Sequence, residues 1–85
     1  MKISLHRKFL KGYKKLNNKD KKRFKERRDL FSINPFDFKL NNHQLNGKYI
    51  KYRSININSD LRVLYKRKNK IIVFFTIDTH SNLYK

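Results

Sequence analysis

The run IIVFFTI, residues 71–77, carries an apolar side chain at every position but one. Alternate residues of a strand point to opposite faces, so this segment needs cover on both faces and neighbours on both edges, which predicts a strand at the centre of a sheet. Two further runs rich in β-branched and aromatic residues precede it, YIKYRSINI (49–57) and LRVLYKR (61–67), separated by the turn-rich triplets NSD and KNK. Three consecutive antiparallel strands after Gly47 fit this pattern. Residues 2–4 supply a short additional edge strand.

Ahead of Gly47 the period changes. Leu5, Phe9, Tyr13 and Leu16 fall at helical intervals, with Arg7, Lys8, Lys11, Lys14 and Lys15 between them, which predicts an amphipathic helix. Asn17 and Asn18 interrupt it. A second helix runs from about Lys19 to Ile33, turns Phe24, Leu30 and Phe31 inward, and ends before Pro35 because the residue preceding a proline disfavours helical angles. The segment 34–48 has no sustained period and reads as a loop pinned by Phe36, Phe38, Leu40 and Leu45. The expected architecture is α+β: one domain, residues 1–85, in which two N-terminal helices pack on one face of a small antiparallel β-sheet.

Charge narrows the function. The chain has 23 Lys and Arg against 6 Asp and Glu, a formal net charge of +17. Between Arg7 and Arg28 stand twelve basic residues and only Asp20 and Glu26 as acids. A field of that sign expects a polyanion or an acidic protein as partner. The seven Phe and five Tyr exclude a disordered polybasic tail. A domain of this size buries roughly 60–65% of its unfolded surface, enough for one core but not for an enclosed cofactor cavity beside a substrate site, so no cofactor is expected. With no cysteine and three scattered histidines, no metal site is expected either. No apolar run approaches the roughly 20 residues that span a bilayer, so a cytoplasmic protein without a membrane partner is expected.

Polar residues break the apolar pattern in three places: His43 in the loop, Asn56 to Arg62 around the first hairpin turn, and Asp78 to Tyr84 after the last strand. Meander connectivity brings these together, so the free face of the sheet should present His43, Asp60, Arg62, His80 and Tyr84 around one concave surface. Those groups suit metal-free RNA cleavage, which needs a base for the ribose 2′-hydroxyl proton, an acid for the departing 5′-oxygen, and cations for the charge on the phosphate. Imidazole serves either proton role near neutral pH. Plainer explanations stand beside these. A surface histidine in a basic protein needs no function, and Asp60 fits ordinary turn chemistry. Arg62, within LRVLY, needs an anionic partner, either Asp60 or Asp78 or an external phosphate. His6 is expected to face solvent, and Tyr52, Tyr65, Phe74 and Phe75 to be core.

The succession KGYKKL, RFKERRDLFSINP, LNNHQLNGKY, YRSININSDLRVLYK and IDTHSNLYK resembles the RelE/ParE superfamily of bacterial type II toxins, closest to its RelE/YafQ branch. The likeness runs nearly end to end. Its most specific parts are the loop His followed by x-Leu-x-Gly, the Asp-Leu-Arg before an apolar pair and Tyr, and the ending Thr-His-Ser-x-Leu-Tyr. The resemblance implies a ribosome-dependent mRNA endonuclease with a RelE-like fold. It also implies an acidic cognate antitoxin that holds the toxin in a hetero-oligomer, with the ribosome and mRNA as targets.

Carried over residue by residue, the resemblance implies catalytic roles for His43, Asp60 and His80, and for Arg62 through the RelE-like strand arginine. It implies RNA contacts for Tyr84 and for the neighbouring Lys48, Lys51, Arg53 and Asn56. Asn56 stands where the YafQ-like pattern has a second His, Leu61 where it has Trp, Thr76 where it has Arg, and Asp78 where it has Gly. Two other readings stay open on the same residues: a ParE-like inhibitor of DNA gyrase, and an inactive nucleic-acid-binding relative.

Overall fold

The computed structural model describes all residues, Met1–Lys85. Five strands, β1 (Lys2–Leu5), β2 (His43–Gln44), β3 (Arg53–Asn56), β4 (Leu61–Lys68) and β5 (Ile71–Thr79), form one sheet in the order β1-β5-β4-β3-β2. The apolar strand β5 lies inside the sheet, paired with β4 on one edge and β1 on the other. Helices α1 (Arg7–Lys14) and α2 (Asn18–Ile33) precede β2, and a short α3 (His80–Leu83) follows β5.

The core lies between the two long helices and the sheet. Twelve buried residues form it, among them Phe9, Phe24 and Phe31 from the helices and Ile55, Val63, Tyr65, Phe74 and Ile77 from the strands. Their aromatic rings meet at tilted and edge-on angles: Phe9 to Phe24 at 5.2 Å, Phe31 to Tyr65 at 5.0 Å and Phe31 to Phe74 at 5.7 Å between centroids. Such pairs add about 0.5–1.5 kcal/mol each beyond the area they bury. Of the sixteen residues of α2 only Phe24 and Phe31 are buried, seven apart and so on one stripe. Leu30, also expected to turn inward, is partly buried against the same core, and most of the remaining positions are polar or charged.

Several sequence expectations are corrected. The sheet is mixed, because β1 pairs with β5 in parallel. Leu5 belongs to that strand and is exposed rather than helical, because His6 caps α1: its Nδ1 accepts the Lys8 N–H at 3.0 Å and starts the helix at Arg7. The first strand of the hairpin begins at Arg53, not Tyr49. Gly47 sits at φ +65°, and Gly47–Tyr49 forms a 3-10 turn that curls the chain before it can pair. In the loop Leu40 and Leu45 are buried as expected, but Phe36 and Phe38 are 66% and 85% exposed and anchor nothing in the core. Tyr65 and Phe74 are buried in the core, whereas Tyr52 and Phe75 are half-buried on the opposite face of the sheet and stack on one another at 4.8 Å.

No helix is long and apolar enough to cross a membrane. The face of the sheet away from α1 and α2 carries a smaller cluster, Leu45, Leu64 and Leu83, flanked by Tyr49 and Tyr52. Leu83 comes from α3, so this cluster fixes the C-terminal turn against the sheet.

Candidate functional site

Strand register arranges the site. Across the free face one row runs His43, Ser54, Leu64, Thr76, and the next runs Asn56, Arg62, Asp78. His43 reaches the first row because the loop contributes the two-residue strand β2 to the edge of β3. At the far end, α3 folds back over the sheet. The Asp78 carboxylate accepts from the Thr79 N–H at 2.8 Å and from the Asn82 amide at 2.9 Å, and the Thr79 hydroxyl caps the turn by accepting from the Asn82 N–H at 3.1 Å. The His80 N–H donates to the carbonyl of Asp60 at 2.8 Å, which ties α3 to the β3–β4 turn.

The result is an open cavity of about 510 Å³. His43, Arg62, His80 and Tyr84 all line it, together with Asn41, Gln44, Asn46 and Ser54. Both histidines and Tyr84 are exposed, and the His80 ring packs against Tyr84 at 4.7 Å between centroids. Asp60 does not line the cavity and is joined to it through the backbone of His80.

Arg62 has no carboxylate partner. One guanidinium nitrogen donates to the carbonyls of Asn58 at 2.8 Å and Leu61 at 3.1 Å, and the other to Ser59 at 3.2 Å, so the side chain clamps the β3–β4 turn. The expected pairing with Asp60 or Asp78 is therefore absent: neither acid is ion-paired, and Asp78, across the ladder, faces the α3 cap instead. Asp60 is not the residue that makes the turn either. Asn58 does, accepting the N–H groups of Asp60 at 3.0 Å and Leu61 at 2.8 Å. The Asp60 carboxylate makes no hydrogen bond and is free for other work.

The remaining expected contacts divide. Arg53 lies outside the cavity: it donates to the Asn42 side chain at 2.8 Å and stacks over Phe36 at 5.3 Å. Strand alternation explains this, since Arg53 shares its face with Ile55 and not with Ser54. Lys48 is exposed and sits over the Tyr49 ring at 5.1 Å, and Lys51 is exposed. Asn56 lines a second, larger groove of about 840 Å³ between α2 and the β3–β4 turn, where Lys19, Lys22, Arg23, Arg27 and Lys39 gather. His6 is exposed, as expected, but it also caps α1 and packs on Phe75 at 5.0 Å.

Sequence reasoning missed Ser54. It is only 1% exposed, and its hydroxyl, like the Asn56 side-chain oxygen, has no hydrogen-bond partner. Buried polar atoms without partners are rare, and both of these lie on β3 facing the side of the sheet that carries the histidines. The period-two pattern of YRSINI, which puts Ser54 on the face of Asn56, was the available signal. Two histidines and a guanidinium around one open cavity, in a chain of net charge +17, can bind a phosphodiester and move protons on either side of it.

A model of the bacterial YafQ toxin family of type II toxin–antitoxin systems matches residues 1–85. The chain belongs to this family. Its fold is shared with YafQ from Escherichia coli strain BL21(DE3), at a TM-score of 0.83 and 23% identity, over 98% of this chain and 97% of that one. YafQ in the E. coli DinJ–YafQ toxin–antitoxin complex is similar at a TM-score of 0.81 and 23% identity, covering 98% of this chain and 96% of that one. A YoeB/ParE toxin from Agrobacterium tumefaciens matches at 0.76 with 15% identity, over 94% of this chain and 99% of that one. No curated protein matches the chain. The α+β sandwich expected from the sequence is thus the fold these toxin structures share, and the chain is a type II toxin of the YafQ family.

Proposed function

We propose that this toxin is an mRNA endonuclease that cuts message on the translating ribosome and thereby inhibits translation. The observation that carries this reading is the convergence of His43, Arg62 and His80 on one open cavity. A gyrase-binding toxin has no need for two proton-transfer groups lining one cavity, and a plain binding module has none either.

In the reaction one imidazole takes the proton from the ribose 2′-hydroxyl, and that oxygen attacks the adjacent phosphorus. The other imidazole gives a proton to the 5′-oxygen as its bond to phosphorus breaks. The products are a 2′,3′-cyclic phosphate and a free 5′-hydroxyl, and the two histidines together end with the proton count they began with. The positive charge of Arg62, held at the cavity by three turn carbonyls, opposes the negative charge that builds on the phosphate oxygens. Asp60 lies outside the cavity with its carboxylate unpartnered, so its proposed part, orienting a histidine or sharing the 2′-hydroxyl proton, requires a contact made only with RNA bound. No step calls for a metal ion or cofactor.

Tyr84 offers its 40%-exposed ring for stacking on a base, the exposed Lys48 and Lys51 contact the strand beside it, and Asn56 meets RNA in the groove beside α2. Arg53 supports the loop that carries His43. The lysines and arginines of α2 bind ribosomal RNA. The protein partner is an acidic antitoxin: only two ion pairs, Arg23–Glu26 and Arg28–Asp29, form within this chain, which leaves most of its cations for an oppositely charged polypeptide. DinJ in the E. coli complex is the corresponding partner of a similar toxin.

The test is primer-extension mapping of one message incubated with the toxin, with and without translating ribosomes, in buffer with and without EDTA. Discrete ribosome-dependent cuts that survive EDTA are expected. Growth arrest on expression without any cuts would overturn the nuclease reading in favour of a gyrase-type target.

A further inference from the structure

We infer that Asn41 is a positioning residue whose left-handed backbone fixes the tautomer of His43, which makes His43 Nε2 the general base and leaves His80 as the general acid. The inference rests on the nuclease reading for its chemical role, but its structural half stands independently. Asn41 lies at φ 44°, ψ 47°, closing the 3-10 turn Phe38–Leu40 with its N–H on the Phe38 carbonyl at 3.1 Å. In that conformation its carbonyl oxygen lies 2.7 Å from Nδ1 of His43. A carbonyl only accepts, so Nδ1 must carry the hydrogen, and the neutral ring then holds its lone pair on Nε2. No protein group occupies Nε2.

The loop is built to hold this arrangement. Asn42, the next residue, donates to the Pro35 carbonyl at 2.8 Å and to the Tyr65 hydroxyl at 2.7 Å, and accepts from Arg53 at 2.8 Å. These bonds tie the loop to the core on one side while His43 pairs with Ser54 in the sheet on the other. The Asn41 carbonyl is therefore trapped between two fixed neighbours. Asparagine tolerates the left-handed region far better than branched residues, which accounts for its presence at this point. His80 has no such device: its ring contacts Tyr84, and neither nitrogen is hydrogen-bonded within the protein. Only one of the two imidazoles is thus held in a set tautomer, and it is the one with its free nitrogen unprotonated.

The experiment is long-range proton–nitrogen correlation NMR on the full chain labelled with nitrogen-15 histidine, comparing wild type with Asn41→Gly, Asn41→Ala and Asn41→Val. Cleavage kinetics are measured on the same proteins. Wild-type neutral His43 is expected to show a protonated Nδ1 and an unprotonated Nε2. Asn41→Gly, which enters the left-handed region freely, keeps that signature. Asn41→Val loses it, with Asn41→Ala between, and Asn41→Val has roughly tenfold lower kcat than Asn41→Gly at similar KM. Asn41→Ala keeps the comparison usable should the valine variant fail to fold. A wild-type His43 protonated at Nε2, or folded Asn41→Ala and Asn41→Val proteins with the tautomer unchanged, would overturn the inference. The expected tautomer series in a protein that cuts no message would support the positioning of His43 and sink the nuclease reading.

Discussion

The backbone N–H of His80 donates to the carbonyl oxygen of Asp60 at 2.8 Å, so the turn between β3 and β4 and the start of α3 move as one piece. This bond belongs to the Asp60 backbone, and it survives any substitution of the side chain that keeps the turn. The carboxylate itself is exposed and unpartnered, with the turn made by Asn58. Asp60→Asn is therefore expected to leave the melting temperature within about 2 °C of wild type, because a surface substitution away from packing costs little. Cleavage should fall by roughly tenfold or more if the carboxylate assists proton transfer. Thermal melts and cleavage rates on the same preparation check this, and an unchanged rate would reduce Asp60 to a backbone role.

Arg62 combines two jobs. Its three bonds to turn carbonyls hold the β3–β4 connection, and charge-assisted hydrogen bonds of this kind contribute about 1.5–3 kcal/mol. Arg62→Ala should lose both stability on that scale and cleavage. Arg62→Lys keeps the charge but cannot reproduce the fork, so it should recover activity only in part and stability hardly at all. Chemical denaturation of both variants separates these effects; full recovery of stability by lysine would contradict the clamp.

Gly12 lies where α1 packs directly on the backbone of β5. A Cβ at this position would lie 2.5 Å from the carbonyl oxygen of Ile77 and 3.2 Å from its Cγ2. Alanine gains about 1 kcal/mol of helix propensity over glycine. Overpacking against backbone costs about 1–3 kcal/mol, so the steric effect wins at most of that range. Gly12→Ala should lower the melting temperature, by about 4–8 °C for each net kcal/mol in a domain this small. A raised melting temperature would show that α1 shifts without cost.

The groove beside α2 makes a prediction about salt. Lys19 and Lys22 line it and neither is ion-paired. If each neutralises one phosphate of single-stranded RNA, the double variant Lys19→Gln/Lys22→Gln should reduce the log–log salt slope of RNA binding by about 1.4, at about 0.7 per phosphate. Fluorescence anisotropy with a short RNA across a salt series gives the slope. An unchanged slope would place the RNA elsewhere on the surface.

Periodicity revealed the parts of this fold that are long and regular. The apolar run of β5, the β-branched and aromatic residues of β4, and the spacing of Phe9 and Tyr13 and of Phe24 and Phe31 are carried largely by side chains that pack in or against the core. What escaped was decided by single local bonds. Leu5 fits the helical spacing of Phe9 and Tyr13, yet the His6 cap excludes it from α1. Phe36 and Phe38 have the composition of anchors, but both stay at the surface, and the 3-10 turn that begins at Phe38 buries Leu40 instead. α3 has four residues, too few for any period to register. The direction of β1 depends on the crossover and not on its own residues.

In the site, the motifs around His43, Arg62, His80 and Tyr84 led to side chains that share a cavity, because strand alternation and the Thr-His cap place them with little freedom. The resemblance implies an RNA contact for Arg53, whereas strand alternation turns it to the face of Ile55, away from the cavity. Asn41 went unremarked because a left-handed carbonyl leaves no trace in a pattern of side chains.

The most direct test of the nuclease assignment is ribosome-dependent cleavage by His80→Ala, mapped by primer extension beside wild type. Circular dichroism and antitoxin binding serve as controls for folding. The His80 ring supports no hydrogen bond within the protein, so the variant should fold and still bind antitoxin. The expected result is discrete cuts with wild type and a loss of at least about 10²-fold in rate with His80→Ala. Wild-type cutting that persists undiminished in a folded His80→Ala protein would contradict the account.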